Sequence, residues 1–461
     1  MFYFRLPKTS VLICIFVLFY SLAGNSETVV VLGYGRTGKV FTHKLHQKLG
    51  DDVKVVIVDT EPKRINEAVA RWGAESDQHT FTYRTHYDQV LESEWADTIF
   101  IQELINENVW KKQALIEGVL DKLESAGKTD VVVASNSSSI PVSVLTEYLP
   151  EHQKTRVSVN HMYSPHGAAS EVGVLYGPIT ESDSQVSADQ SEKLLQAETT
   201  ARTVERFNAR LGIESFRLNN HGLEIKDQIG HSFNRIWFRI KEHFIDMLGK
   251  NLINRQLADL AFIIVYNRPL GIFGTMDMIS LNTAIDIRHV WKTYGACSSE
   301  MPLFVRDMAG KGETFYPPCT RPDCTQKNIF RLLETSAANQ EGLLEYGWQN
   351  GLMSPHWESE LNRMVNKELN LEERYPEVAG HTAPDGGDII HYLNVSSQLR
   401  MAVYLLAGIT IQEYRHTVLR NSVISPESMD HLLNILTGQD RLFSRLNQLF
   451  PVSFGLPEVT H

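Results

Sequence analysis

The sequence predicts an α/β fold, with a doubly wound, mostly parallel sheet in the first half of the chain and an all-α domain in the second half. Three observations carry this prediction. Apolar strand-like runs alternate with amphipathic helical stretches from Thr28 to Leu218, which is the pattern of repeated βαβ units. A glycine-rich turn joins the first strand to the first helix. From Gly222 onward the apolar periodicity is helical.

The first strand and the turn after it have the spacing of a dinucleotide-binding site. TVVVL, residues 28–32, runs directly into GYGRTG, and the helical stretch KVFTHKLHQKLG follows. Gly33 permits the tight turn, Gly35 lets the backbone approach a pyrophosphate, and Gly38 lets the helix pack closely on the strand. Strand, glycines and helix together predict a Rossmann-type nucleotide domain.

The second strand ends at an acidic residue in the expected place. VKVVIVD finishes at Asp59, 21 residues after Gly38. A carboxylate there accepts hydrogen bonds from the adenine-ribose hydroxyls and repels a 2′-phosphate. We therefore expect NAD rather than NADP, with Lys63 and Arg64 close enough to leave the second cofactor open.

Polar residues follow two later strands where ligands of such sheets bind. The strand DVVVAS leads into Asn136 and three serines, and the strand RVSVNH ends at His161. The carboxyl ends of parallel strands form the binding edge of a doubly wound sheet. His161 is therefore a candidate acid–base residue, and the alternative is a solvated histidine at a strand end.

At these residues the chain resembles the L-3-hydroxyacyl-CoA dehydrogenase family, of the 6-phosphogluconate dehydrogenase C-terminal-like superfamily. The resemblance covers about residues 28–290. Matching segments occur in order: GYGRTG, QELINENVWKK, ASNSSSIP, NHMYSP, and the pair DQIGHSFNR and RPLGIFGTMDMISLNT. That pair is similar to the family signatures D-x-P-G-F-x-x-N-R and P-x-G-P-F-x-x-x-D.

The resemblance implies a role for five residues. His161 matches the catalytic histidine that takes the hydroxyl proton, and imidazole suits this task near neutral pH. Ser138 matches a residue that hydrogen-bonds the substrate 3-oxygen, and Asn234 matches one that orients substrate and histidine. Glu107 and Lys112 match residues lining the cofactor and substrate cleft. From the residues alone, Ser138 could instead cap the helix VSVLTEYL, and Asn234 could be an ordinary polar helix residue.

Three departures from the family pattern bear on the mechanism. The family's histidine is held by a glutamate twelve residues later, and this chain has Gly173 there, with Glu171 two residues earlier. Ser164 replaces an asparagine before the proline. Only 48 positions separate Asp59 from Glu107, which leaves little room for the helical hairpin that helps the family to grip coenzyme A. A small acyl substrate is expected, either CoA-linked or a free hydroxy acid.

The N-terminus and an internal segment with two cysteines add further expectations. Arg5 and Lys8 precede the apolar run VLICIFVLFYSLA, so residues 1–23 read as a signal peptide or anchor. Because exported compartments are expected to be poor in free NAD, a signal peptide conflicts with the use of NAD, and the localisation of the protein stays open. PPCTRPDC could close a disulfide between Cys319 and Cys324, or both could be free thiols.

The domain boundaries follow from these patterns. We expect a nucleotide domain at 24–220, a helical substrate and dimerisation domain at 221–296, and a helical extension at 297–461 that could be a degenerate second copy. The apolar run MAVYLLAGI reads as core rather than as a membrane span. We expect no metal site, and the net charge of −11 without a basic run argues against nucleic acid.

Together these features favour an NAD-dependent oxidoreductase, expected to be a homodimer, in which His161 is the base. Two alternatives stay open. One is a dinucleotide-binding sensor or interaction protein that has lost turnover, favoured by Gly173. The other is a dehydrogenase of a free hydroxy acid, favoured by the short segment between Asp59 and Glu107.

Overall fold

The computed structural model describes residues 27–49, 53–73, 81–163, 167–176, 187–219, 223–268, 270–316, 340–369 and 396–450. Several expectations from the sequence concern residues outside these ranges. The signal-like segment 1–23, Ser164, Pro269, and the PPCTRPDC segment with Cys319 and Cys324 all lie outside the described residues.

One eight-stranded sheet organises the first half of the chain. Its strand order is β3-β2-β1-β4-β5-β6-β7-β8. Only β7 runs antiparallel to a neighbour, β6, and every other pairing is parallel. The expected doubly wound, mostly parallel sheet is confirmed. The strands are β1 Glu27–Leu32, β2 Val53–Val58, β3 Phe81–Arg84, β4 Thr98–Glu103, β5 Val132–Ser135, β6 Val157–Met162, β7 Ala169–Val174 and β8 Glu214–Arg217.

Helices cover both faces of the sheet because the strands are apolar on both sides. Val29 and Val31 pack on one face with Phe41 and Phe207, whereas Val30 packs with other helices on the opposite face. The helices of this half are α1 Arg36–Lys48, α2 Pro62–Trp72, α3 Glu92–Ala96, α4 Val109–Ser125, α5 Val142–Leu145, α6 Glu151–Lys154 and α7 Ala188–Arg210, with a 3-10 turn at Tyr87–Gln89.

Two local expectations need correction. The stretch VSVLTEYL forms only the four-residue helix α5, whose N-cap is Pro141 and not Ser138. The sequence reading also passed over α7, a helix of 23 residues. It was hard to recognise because its N-terminal half is largely polar and because the small residues Ala197 and Ala201 lie among the larger buried side chains Leu194, Val204 and Phe207.

The described residues of the second half form helices and connecting loops and contain no strand, as expected. One large apolar cluster joins its helices into a common core. They are α8 Ile225–Gln228, α9 Phe233–Gly249, α10 Arg255–Tyr266, α11 Ile272–Ile279, α12 Leu281–Thr293, α13 Leu303–Lys311, α14 Gln340–Gln349, α15 Trp357–Arg363, α16 Ser397–Tyr414, α17 Pro426–Thr437 and α18 Leu442–Leu449, with π-helical turns at Met364–Glu368 and Arg415–Arg420. MAVYLLAGI lies buried in α16. No described helix has the length and apolar character needed to cross a membrane.

Two groups of three helices in this half are built alike. In α10, Asp259 accepts hydrogen bonds from the backbone of Phe273 (2.7 Å) and Gly274 (3.0 Å) at the start of α11. In α17, Asp430 accepts from Phe443 (3.0 Å) and Ser444 (3.3 Å) at the start of α18. Each aspartate thus caps the N-terminus of the following helix. Helices α9 and α16 precede the two pairs in the chain, and α16 packs against both α9 and α10.

Candidate active site

The glycine turn has the backbone geometry that a dinucleotide requires. Gly33 has a φ of 106°, a left-handed conformation that side chains other than glycine rarely adopt. A Cβ at Gly38 would overlap the carbonyl oxygen of Gly33. The first turn of α1 contains no acidic residue, and its N-cap, Gly35, makes no side-chain capping bond. Its N–H groups therefore suit an anion such as a pyrophosphate.

Asp59 lies at the end of β2 beside this turn. Its carboxylate accepts hydrogen bonds from the backbone of Tyr34 (2.7 Å) and Glu61 (2.8 Å), so it is fixed in place. The guanidinium of Arg64 lies 3.3 Å away and is partly exposed. Asp59 therefore lies next to the glycine turn, where a ribose-binding carboxylate is expected.

A buried ion pair lies at the end of β4. The Lys112 ammonium is 2.7 Å and 2.9 Å from the two carboxylate oxygens of Glu103 and donates to the carbonyl of Ile105 at 3.2 Å. Ser135 also donates to Glu103, at 2.5 Å. Lys112 is 1 % exposed and Glu103 is fully buried. The Lys112 ammonium is therefore directed at Glu103. This partner was not identified from the sequence, although a charged residue ends the apolar strand TIFIQE.

Glu107 holds the loop formed by Ser137, Ser138 and Ser139, hereafter the serine turn. One carboxylate oxygen of Glu107 accepts from the Ser137 hydroxyl (2.6 Å), the Ser139 hydroxyl (2.7 Å), the Ser139 amide (2.9 Å) and the Ser138 amide (3.0 Å). Burial raises the pKa of Glu107, but the Lys112 charge and these bonds outweigh burial and lower it overall. Glu107 is therefore an anion that fixes the turn.

Within this turn the Ser138 hydroxyl is the least engaged. It lies 3.4 Å from Glu107, and the Ser138 side chain is partly exposed. The Ser137 hydroxyl, in contrast, also accepts from the backbone of Ile140 at 2.7 Å. Ser138 is thus the member of the turn whose hydroxyl makes only one long hydrogen bond within the described residues and can most easily turn to a ligand.

The carbonyl side of the serine turn is bound by one segment of the helical half. Gly230 donates its amide to the Ser139 carbonyl at 3.1 Å, and Asn234 donates to the Ser138 carbonyl at 3.2 Å. The ring of His231 lies 2.9 Å from the Ser137 carbonyl. All three carbonyls of the turn therefore accept from residues 230–234.

His161 is the last residue but one of β6, lies next to this segment and is 7 % exposed. The Asn234 amide lies 3.5 Å from His161 Nε2, whereas Nδ1 has no hydrogen-bond partner among the residues that the structure describes. Burial lowers the pKa of His161 to about 3, and the nearby His231 adds to this effect. The ring is therefore neutral, and a neutral imidazole can accept a proton.

A buried glutamate lies directly across the β6–β7 ladder from this histidine. His161 is in register with Glu171, and Gly173 lies opposite Val159. Glu171 is fully buried, and it accepts hydrogen bonds from the hydroxyls of Tyr163 and Ser232. Burial raises the pKa of Glu171 to about 7. Counting twelve residues from His161 leads to Gly173, but the pairing of the strands presents Glu171.

These residues form a cluster that can perform acid–base chemistry on an alcohol. Ser138, His161 and Asn234 come together, and Glu107 holds the turn that carries Ser138. Sequence reasoning missed His231 as a member of this cluster, although an imidazole in place of the signature's phenylalanine was a signal. No group of three His, Cys, Asp or Glu side chains suited to a metal ion occurs in the part of the chain that the structure describes.

Comparisons with known proteins agree with this architecture. Residues 28–195 match the family described as 3-hydroxyacyl-CoA dehydrogenase, NAD binding domain. No curated protein sequence matches the chain. The structure of 3-hydroxybutyryl-CoA dehydrogenase from Escherichia coli K12 is similar with a TM-score of 0.55 and 13% identity over 92% of each chain. That of (S)-3-hydroxybutyryl-CoA dehydrogenase from Ralstonia eutropha matches with a TM-score of 0.44 and 21% identity, over 64% of this chain and 99% of its own.

Proposed function

We propose, on the premise that residues 28–195 match the NAD-binding domain of the 3-hydroxyacyl-CoA dehydrogenase family, that the chain interconverts a 3-hydroxyacyl compound and its 3-oxo form. NAD is the cofactor that this domain binds. The proposal assigns Gly33, Gly35, Gly38 and Asp59 to the cofactor. When bound, NAD supplies the hydride acceptor for oxidation of the alcohol.

The side chains around His161 transfer the proton and bind the substrate oxygen. His161 Nε2 takes the proton of the substrate hydroxyl, because the ring is neutral and this nitrogen faces the site beside Asn234. The Ser138 hydroxyl donates to the oxygen that becomes a carbonyl. In the reverse direction the imidazolium returns the proton to the same oxygen.

The observation that carries this proposal is the position of one side-chain amide. The Asn234 amide lies 3.2 Å from the Ser138 carbonyl and 3.5 Å from His161 Nε2. It therefore joins the residue proposed to bind the substrate oxygen to the residue proposed to take its proton. Such positioning of reacting groups is a major source of rate enhancement.

Glu171 supports the same proposal as an orienting carboxylate. Since Nε2 of His161 accepts in this arrangement, the proton of the neutral ring resides on Nδ1. Nδ1 has no hydrogen-bond partner among the described residues, and Glu171 stands opposite His161 in the strand pairing. We infer that a rotation of Glu171 away from Tyr163 or Ser232 brings it to Nδ1 when substrate binds.

The substrate is proposed to be an acyl thioester of CoA or the corresponding free hydroxy acid. Between Asp59 and Glu107 the described residues contain α2, β3, the 3-10 turn, α3 and β4. They contain no helical hairpin of the kind expected to grip coenzyme A. This observation favours the free acid as the alternative substrate.

A second candidate function is dinucleotide binding without turnover. It is favoured by Nδ1 of His161, which has no hydrogen-bond partner in the described parts of the chain, since Glu171 is bound to Tyr163 and Ser232. A histidine that lacks its orienting carboxylate is a weaker base.

A single assay separates these functions. NADH consumption is measured for the chain from residue 24 onward with acetoacetyl-CoA and, separately, with acetoacetate. Consumption with the thioester supports the leading proposal, and consumption with acetoacetate alone selects the free acid. Binding of NADH, seen by fluorescence, without consumption of either substrate selects the second candidate.

We also propose that residues 397–449 repeat the helical unit of residues 233–279. The equivalent caps of Asp259 and Asp430 support this proposal. The homodimer expected from the resemblance stays a prediction, which light scattering on the purified chain tests. A monomer would indicate that α16, packed on α9 and α10, takes the place of a partner subunit.

A further inference from the structure

His231 stands where the family signature has an apolar aromatic residue. In D-x-P-G-F-x-x-N-R the phenylalanine follows the glycine, and here His231 follows Gly230. A phenylalanine fills the same space without polar atoms. An imidazole that is fully buried, as this one is, requires hydrogen-bond partners for its ring nitrogens.

The backbone at His231 confirms that its placement is specific. Its φ is 56°, in the left-handed region that costs energy for most side chains. The strain is tolerated next to Gly230, whose φ is 81° and whose missing Cβ would overlap the ring of Trp291. The two residues form a tight turn that aims the imidazole back at the nucleotide domain.

The two ring nitrogens of His231 differ in their hydrogen bonding to the described residues. Nε2 lies 2.9 Å from the Ser137 carbonyl oxygen. Since a carbonyl only accepts, Nε2 carries the proton. Nδ1 has no partner among the described residues, and the ring centre lies 5.9 Å from that of His161. Burial lowers the pKa of His231, so the ring donates as a neutral group.

This bond completes a set that spans two parts of the chain. The serine turn follows β5 of the sheet, and residues 230–234 begin the helical half. Gly230, His231 and Asn234 donate to the three successive carbonyls of the turn. Glu107 binds the amides of Ser138 and Ser139 from the other side. The direction of the Ser138 hydroxyl therefore depends on both sets of bonds.

We propose that His231 is a positioning residue of this site, which fixes the serine turn through the Ser137 carbonyl and thereby aims Ser138 at the substrate oxygen. This inference rests on the proposed function for its catalytic meaning, but the bond to Ser137 can be tested without turnover. The expected consequence is a loss in kcat rather than in KM, because the position of Ser138 matters most when the oxygen changes its charge.

Three variants test the proposal. His231→Phe restores the signature residue and removes the donor. His231→Gln keeps a donor near the place of Nε2, whereas His231→Asn places its amide near Nδ1 and is too short to reach Ser137. His243→Phe is the matched control, since that half-buried histidine of α9 also makes one ring hydrogen bond, 2.9 Å to Tyr346, outside the site.

Steady-state kinetics and amide hydrogen exchange are measured on the whole chain. We expect kcat of His231→Phe and His231→Asn to fall by about 10- to 100-fold with KM changed less than about threefold, since a displacement of about 1 Å can cost 10²-fold. His231→Gln should recover most of kcat. The amides of residues 137–140 should exchange faster in the first two variants and as in the parent chain in His231→Gln and His243→Phe.

Two results would overturn the proposal. One is an unchanged kcat and unchanged exchange at 137–140 in His231→Phe. The other is an equal loss in His231→Gln and His231→Phe, which would mean that the ring acts by packing alone. If the parent chain binds NADH but shows no turnover, the proposed function fails, while the exchange pattern still decides whether His231 fixes the serine turn.

Discussion

The two sides of the serine turn differ in how completely their polar groups are satisfied. On the Glu107 side, Lys112 makes three close contacts to Glu103 and Ile105, and one carboxylate oxygen of Glu107 collects the amides and hydroxyls of the turn. On the histidine side, Nδ1 of His161 and Nδ1 of His231 have no partners among the described residues.

This difference indicates that the Glu107 side of the turn is structural and that the histidine side is the reactive one. Buried polar groups are nearly always paired in folded proteins, so an unpaired one indicates a place where a ligand or a movement completes the structure. The charged residues of the Glu107 side are expected to contribute to stability. The neutral imidazoles of the histidine side are expected to contribute to chemistry at some cost in stability.

The largest effect should follow from breaking the fully paired side. Lys112→Met leaves the Glu103 carboxylate buried without its cation, which typically costs about 3–5 kcal/mol of unfolding free energy. Urea unfolding of Lys112→Met measures this loss. Because Lys112 is directed at Glu103, the affinity for NADH should change little in the variant that still folds.

The matched control is the double variant Glu103→Gln/Lys112→Met, which removes both charges. It should recover part of the stability, because Glu103 is then neutral, whereas Glu107 still loses the Lys112 ammonium that lies 3.8 Å away in the parent chain. A stable Lys112→Met with weakened NADH binding would instead place Lys112 in the cofactor cleft, as the family resemblance implies.

A second effect concerns the pH dependence of stability on the histidine side. Burial raises the pKa of Glu171 from 4.5 to about 7. The protonated form is thus favoured by folding, and its stability contribution is complete below pH 4.5 and is lost as the pH rises through about 7. The loss should be about 3 kcal/mol, since one pKa unit corresponds to about 1.36 kcal/mol.

Glu171→Gln mimics the protonated form of Glu171 and should remove this part of the dependence of unfolding free energy on pH. Unfolding free energies of parent and variant are compared between pH 5 and 8, and the difference should grow in favour of the variant with rising pH. Burial also raises the pKa of Asp259 to about 7. Because Asp259 is present in both proteins, it contributes the same pH dependence of unfolding free energy to each. Parallel curves would contradict the assignment of Glu171.

The smallest effect compares two neighbouring serines. Ser138→Ala removes the hydroxyl proposed to bind the substrate oxygen, and kcat should fall by about 10- to 100-fold, near the lower range for the loss of one donor. Ser137→Ala removes bonds to Glu107 and Ile140, so its main effect should be on stability, about 1–2 kcal/mol. Thermal unfolding and kinetics of the pair measure both. Equal effects on kcat would contradict the distinction.

The elements that local patterns encode could be predicted from the sequence. The strands, the glycine turn with Gly33, and Asp59 at the end of β2 depend on residues close together in the chain, so periodicity and spacing reveal them. The place of His161 at the carboxyl end of a strand followed from the rules for parallel sheets. The structure confirms this part of the fold.

The partners of the site residues could not be predicted in the same way. Lys112 was recognised by its spacing from Glu107, but its partner Glu103 depends on how α4 lies against β4. Gly173 was placed opposite the histidine by counting, because a sequence does not state the length of the turn between β6 and β7. His231 meets Ser137 only because the chain returns to the sheet after 94 residues.

The role of His161 is the central claim, and one comparison tests it most directly. NADH oxidation by the substrate that supports turnover is measured for the parent chain and for His161→Gln, with NADH affinity measured in parallel. We predict that kcat falls by about 10²- to 10⁴-fold in the variant, the usual range for loss of a general base, while NADH binds as tightly as before. Turnover that survives in His161→Gln would contradict the assignment of His161 as the base.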